Sequence, residues 1–183
     1  FVPDMKFLDK YKLKPKEYFF VREVSVGTVN YAGQSAGAVM DIASKIPQDK
    51  KVLFSLEDKS IKDMYPKDWI LLEEPVEGIH SLIYYSCALI SSGDSMAREA
   101  ALLGVPSYYL GIRYDMPANY AASRLGVLHN RKSMDFEEWI ECFKANLSYK
   151  KEQENIRGTI NRLFIDINEY MYSFVNELEK RRE

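Results

Sequence analysis

Apolar residues in this chain come in short runs, with helically spaced segments between them. Six runs predict strands: Glu17 to Val24, Lys51 to Leu56, Trp69 to Leu72, Cys87 to Ile90, Pro106 to Leu110 and Gly126 to Leu128. The first contains Tyr18-Phe19-Phe20-Val21. Such a run is apolar on both faces, as a strand covered by helices on both sides requires. Between the runs, apolar residues recur three and four apart. This spacing predicts helices over Gln34–Ile46 (Ala36, Val39, Met40 and Ala43 inward), Asp58–Met64, Gly78–Ser86, Asp94 or Ser95 to Leu103, from Met116 onward, and Met134–Asn146. A short helix after Asp4 carries Phe7, Leu8 and Tyr11, and Pro117 sits in a first turn, where its missing N–H costs nothing. From Gln153 to Arg181 a single long helix is expected, with Ile156, Ile160, Leu163, Phe164, Ile167, Tyr170, Met171, Phe174 and Leu178 in its stripe.

Strands alternating with helices give a parallel, doubly wound α/β sheet. Right-handed crossovers in a Rossmann-like order place the first and fourth strands side by side, and ligands bind beyond their carboxyl ends. Those ends carry Arg22, Ser25 and Gly27 on one strand and Ser92, Gly93, Asp94 and Ser95 on the other. Residues 1–150 are expected to form this lobe. The stripe of residues 151–183 is wider than one small domain needs, which fits either a plain terminal helix or one that bends and docks on something outside the chain.

The turn after the fourth strand has the composition of an anion site. Ser91-Ser92-Gly93 are small, and the helix that follows (Met96 to Leu103, ended by Gly104) directs free N–H groups and the positive end of its dipole at whatever lies over the turn. Glu99 falls four or five positions after an N-cap at Asp94 or Ser95, so it is not the acid of a capping box. It is either an ordinary helix-surface residue or an acceptor for ribose hydroxyls one turn above a phosphate. The first strand is not followed by G-x-G-x-x-G, Glu57 alone offers an acid at the end of the second strand, and no Walker sequence is present, so a dinucleotide site is not indicated.

Composition narrows the partners. With 25 Lys and Arg against 27 Asp and Glu, the net charge is −2, and no basic field suggests nucleic acid. No apolar run reaches the roughly 18 residues that span a membrane, and no signal peptide is evident. Cys87 and Cys142 show no metal spacing and read as reduced core thiols of a cytoplasmic protein, which makes Asn146-Leu147-Ser148 a chance sequon. No metal or cofactor is expected. His80 and His129 lack triad partners and read as capping or packing residues, and Arg113 and Asp115 read as a solvated loop pair near the mouth. The chain begins Phe-Val-Pro-Asp without Met, as a piece of a longer protein would.

Ser-Gly followed five residues later by Glu-Ala, between a strand and a Gly-x-Pro strand, resembles the C-terminal half of GT-B glycosyltransferases and UDP-N-acetylglucosamine 2-epimerases. The spacing of Gly93 and Glu99 matches that of the lipid II N-acetylglucosaminyltransferase. The Arg-containing first strand and Met96-x-Arg98-Glu99-Ala100-Ala101-x-Leu103-Gly104-x-Pro106 are most similar to an uncharacterised family near the 2-epimerases, over most of residues 1–130. The resemblance implies one lobe of a two-lobed protein of surface glycan metabolism, with a UDP-sugar as substrate. It implies Glu99 on the ribose, Ser92 to Ser95 on the phosphates, and Arg22 paired with the diphosphate. Asn119 would lie near the sugar, and the loop from Pro75 and Val76 to His80 beside the uracil. The N-terminal Rossmann-like lobe of these families, which carries much of the acceptor site and the catalytic base, is not in this chain, so the chain alone is expected to fold without turnover. The epimerases' His-Arg-x-Glu-Asn run is here Val21-Arg22-Glu23-Val24-Ser25, which favours glycosyl transfer over epimerisation. The competing reading is a non-enzymatic, regulatory α/β domain that binds a phosphorylated ligand.

Overall fold

The computed structural model describes residues 1–27, 29–145 and 149–180. Six strands form one sheet: β1 (Tyr18–Glu23), β2 (Lys51–Leu56), β3 (Ile70–Leu71), β4 (Ala88–Ser91), β5 (Ser107–Tyr109) and β6 (Leu128–Asn130). Their order is β3-β2-β1-β4-β5-β6 and every neighbouring pair is parallel. The chain therefore winds outward in one direction to β3, then returns to the middle at β4 and winds the other way. The switch lies between β1 and β4, where Arg22 sits opposite Ser91.

The apolar run of β1 explains its central place. Tyr18, Phe19, Phe20 and Val21 are fully buried, and alternate residues serve opposite faces. Phe19 and Val21 join Val39, Ile42, Ile46, Phe136, Trp139 and Ile140 on one face, where α5 (Phe136–Ala145) packs. Tyr18 and Phe20 join Leu8, Leu82, Ile83, Ala97, Ala100 and Ala101 on the other. That second face is covered by α1 (Lys6–Asp9), α2 (Ile79–Tyr84), α3 (Asp94–Leu102) and α4 (Pro117–Ser123). Each such aromatic or aliphatic side chain contributes roughly 1.5–3 kcal/mol on leaving water.

Helix α3 stops as its sequence predicts. Gly104 takes a left-handed φ of +73°, its N–H donates to Ala101 O (2.9 Å), and the Val105 N–H donates to Ala100 O (2.8 Å). These two bonds make a Schellman ending, which needs a residue at ease with positive φ.

Several elements differ from expectation. Over Gln34–Ile46 only Met40–Lys45 is helical, and that as a 3₁₀ helix. Gly33 and Gly37 have φ of +87° and +84°, which interrupts a right-handed helix. Residues 59–64 are likewise 3₁₀, begun by Asp58, whose carboxylate accepts from Ser60 N at 3.0 Å. Strand β6 starts at Leu128 because Gly126 turns the chain at φ +74°. Cys87 is buried but Cys142 is exposed, so only the first is a core thiol. The sequon lies outside the described residues.

The long terminal helix is two helices, α6 (Tyr149–Leu163) and α7 (Ile167–Lys180). Between them Asp166 Oδ1 accepts from Asn168 N (2.8 Å) and Glu169 N (3.3 Å), which caps a new helix rather than continuing the old one. Helix α6 rests on the lobe through Gln153, whose Nε2 donates to Tyr84 O and Leu103 O. Helix α7 buries no residue, and Tyr170, Met171, Phe174, Val175 and Leu178 stay exposed. Among the described residues no helix is long and apolar enough to cross a membrane.

Candidate functional site

The turn from β4 into α3 is held by its own small side chains. Ser91 Oγ accepts from Gly93 N (3.0 Å) and donates to Gly93 O (2.7 Å). Ser92 Oγ accepts from Val24 N (2.9 Å), and Ser92 N donates to Arg22 O (3.0 Å), which sews the turn to the end of β1. Gln34 Nε2 reaches Ser92 O at 3.0 Å from the far side. The N-cap is Gly93 rather than Asp94 or Ser95, and no side chain caps the helix. The amides of Asp94, Ser95 and Met96 therefore have no partner within the helix, and the positive end of its dipole lies there. Glycine is needed at the cap for space: a Cβ on Gly93 would stand 2.6 Å from Val24 Cγ1 and 3.3 Å from Tyr31 Oη.

Charge collects beside these amides. The Asp94 carboxylate is almost wholly buried and faces two guanidinium groups, with Arg98 Nη1 at 2.8 Å and Arg113 Nη1 at 3.8 Å. Arg98 also donates to Asn119 Oδ1 (2.9 Å), while Asn119 Nδ2 donates to Arg113 O (2.7 Å). Two cations against one anion leave net positive charge at the helix N-terminus. Arg98 is committed to Asp94 and Asn119. Arg113 holds Asp94 only loosely, its Nη2 donates to the weak acceptor Met116 Sδ (3.5 Å), and its side chain is 31% exposed, so an incoming anion can compete for its donors. Tyr109 accepts from Arg113 N at 3.0 Å, and burial pushes its phenol up to about 12, so it stays neutral.

The expected site residues fall into three groups. Ser92, Gly93, Asp94 and Ser95 form the turn, and Asn119 is joined to it through Arg98, which also pairs with Asp94. Arg22 and Ser25 turn toward β2 instead: Arg22 donates to Ser55 Oγ (2.9 Å) and pairs with Glu57, and Ser25 N donates to Glu57 Oε2 (2.8 Å). Glu57 thus occupies the guanidinium that was expected at a diphosphate. The third group is Glu99 and His80, which meet at 3.2 Å with both side chains half exposed. Val76 is partly buried against the core on the α3 side of the sheet, and Pro75 is exposed. Ser95 and Glu99 stand four residues apart, on one face of α3 and about 6 Å apart along its axis. His129 is half buried, and burial lowers its imidazole pKa, which fits packing. Asp115 pairs with Lys132 at 3.3 Å rather than with Arg113. In the sequence Arg98 figures only as part of the Met96–Pro106 motif, without a role of its own, and Arg113 reads as one of a solvated loop pair with Asp115. The i,i+4 spacing of Asp94 and Arg98 was the available signal for the first; nothing local marks the second.

No protein-family model matches the sequence, and no curated protein does. Solved structures match over most of the chain. The glycosyltransferase VinC in complex with dTDP shares 14% identity at a TM-score of 0.61, over 98% of this chain and 45% of its own. The spinosyn rhamnosyltransferase SpnG complexed with thymidine diphosphate shares 13% at 0.59, over 81% and 42%. UDP-GlcNAc 2-epimerase from Neisseria meningitidis, bound to UDP-GlcNAc, shares 18% at 0.52, over 83% and 42%. The fold is that of a GT-B lobe. This GT-B-like lobe spans less than half the length of the structures it matches.

Proposed function

We propose that this lobe binds a nucleotide sugar, most simply a UDP-sugar, as the donor half of a glycosyltransferase of surface glycan metabolism. One observation carries the reading. At the switch point of the sheet, the free amides of Asp94 to Met96 and an under-used Arg113 share the N-terminal end of α3, with a half-exposed Glu99 one turn beyond Ser95. The amides and Arg113 suit a diphosphate. Glu99, one turn above Ser95, suits ribose hydroxyls once His80 yields or swings with the base. The loop from Pro75 and Val76 to His80 then flanks the base, and Asn119 braces the arginines beneath the sugar. Arg22 and Ser25 form the opposite rim, where Arg22 reaches the diphosphate by exchanging Glu57 for it. In this reading a second lobe completes the crevice and the exposed stripe of α7 docks on it, so the chain alone binds without turnover. A nucleotide-sugar donor and two free thiols fit a cytoplasmic protein.

Calorimetric titration with UDP, UDP-GlcNAc, GDP and ADP tests the reading. UDP and UDP-GlcNAc are expected to bind more tightly than the purine nucleotides. Glu99→Ala should weaken UDP by about 1.5–3 kcal/mol, the worth of hydrogen bonds to a charged group, with little dependence on salt. Arg113→Ala should weaken UDP but scarcely uridine, and the loss should shrink at high salt, since ions screen an exposed charge pair. Equal binding of pyrophosphate and UDP, with Glu99→Ala silent, would instead favour the regulatory phosphate-binding domain.

A further inference from the structure

Glu23, the last residue of β1, has a fully buried carboxyl. Its Oε2 accepts from Val39 N (2.8 Å) and from the Tyr65 hydroxyl (3.1 Å), while its Oε1 has no hydrogen-bond partner. The next residue, Val24, gives its N–H to Ser92 Oγ (2.9 Å), which ties the end of β1 to the turn. Gln34 is nine-tenths buried; its Nε2 holds Ser92 O, and its Oε1 is likewise unpartnered. One half-satisfied carboxyl thus stands at the root of a buried polar network. It joins the end of β1, the start of the 3₁₀ helix at residues 40–45, Tyr65 and the Ser92 turn.

We infer that Glu23 is a proton-binding positioning residue that couples the protonation of the lobe to anion binding at the Ser92–Met96 turn. The inference rests on the anion-binding part of the function proposed above.

The groups facing Glu23 decide its state. From β2 it faces Leu56. The chain after β1 contributes the Val39 amide and Asp41, a second acid, and Tyr65 and Ser92 contribute neutral hydroxyls. Burial, the largest influence, raises the carboxyl above its ordinary range; the hydrogen bonds from Val39, Ser92 and Tyr65 pull it part of the way back, and Asp41 adds a smaller rise. A neutral acid keeps the two bonds that Oε2 accepts and carries no charge into the core. An ionised one puts an unpaired charge in the core, against the anion that the turn is to receive. The sign follows by linkage. A bound diphosphate raises the Glu23 pKa still more, so the complex holds more protons than the free protein, and affinity falls as pH rises through the free-state value.

The test compares the parent with Glu23→Gln, which keeps the shape and can accept the same two hydrogen bonds. Binding of UDP and of inorganic pyrophosphate is measured from pH 5.5 to 8.5, in buffers of differing ionisation enthalpy, so that proton uptake is counted. UDP itself titrates in this range, so the difference between the two proteins is what counts. The parent is expected to take up more protons than Glu23→Gln at the pH of its transition. It should also lose at least fivefold more affinity than the variant across the range. Identical proton counts and identical pH profiles would overturn the inference while leaving nucleotide binding in place. A Glu23-dependent profile for pyrophosphate without any UDP binding would uphold it and sink the nucleotide reading. Failure of the parent to bind either probe would overturn both.

Discussion

Gly93→Ala is expected to abolish useful UDP binding while leaving a folded protein. The added methyl would stand 2.6 Å from Val24 Cγ1, closer than side-chain carbons pack. Val24 cannot retreat freely, because its side chain is buried and its N–H is held by Ser92 Oγ. The turn must move instead, and it carries the Ser91 bonds to both polar atoms of Gly93. Over-packing of this kind costs about 1–3 kcal/mol of stability. The effect on binding should be larger. The α3 amides act only when aimed together, and two misplaced charge-assisted hydrogen bonds are worth roughly 3 kcal/mol or more, over a hundredfold in affinity. Thermal unfolding and calorimetry on the same sample separate the two effects. Unchanged affinity with lowered stability would show that the ligand does not lie over this turn.

Asp94→Asn should move stability and affinity in opposite directions. Its carboxylate is nearly buried between Arg98 and Arg113 and sits in the first turn of α3, where negative charge is favourable. Removing one partner of a fully buried pair costs more, but both arginines keep access to water. A loss of about 1–3 kcal/mol is expected, and each kcal/mol lowers the melting point by roughly 2–4 °C in a chain of this size. Diphosphate binding should tighten by about 1 kcal/mol, some fivefold, because a like charge beside the ligand is gone and Arg113 is released. If UDP binding weakens in step with stability, Asp94 touches the ligand itself and the arginines are only its scaffold.

The sheet was legible because its signal is local. Runs such as Tyr18 to Val21 and Cys87 to Ile90 identify buried strands, and chain chirality orders them around β1 and β4. The ends of α3 were nearly as legible, since Gly93 and Gly104 have steric reasons to be there. The segment 34–46 misled because Ala36, Val39, Met40 and Ala43 keep helical spacing while Gly33 and Gly37 turn the backbone left-handed. The terminal helix misled in a similar way: its stripe continues from Phe164 to Ile167, but Asp166 caps a fresh helix. The charged part of the site depends on contacts that no window contains. Arg113 approaches Asp94 from the loop after β5, and Arg22 is diverted to Glu57 by the parallel register that sets it opposite Ser55. Glu23 sits in a strand run and gives no sign in sequence of its buried, half-satisfied carboxyl.

The central claim is that the diphosphate of a nucleotide lies on the first amides of α3. It is tested most directly by following backbone amide signals during parallel titrations with UDP and with uridine. The difference between the two end points isolates the phosphates. The largest differences are expected at Asp94, Ser95 and Met96, with Arg113 next, while residues around Glu99 and His80 shift with both ligands. Largest differences in the cavity of about 610 Å³ between α4 and α6, at Tyr120, Thr159 and Leu163, would contradict it. So would shifts at the α3 amides that are the same with and without phosphate.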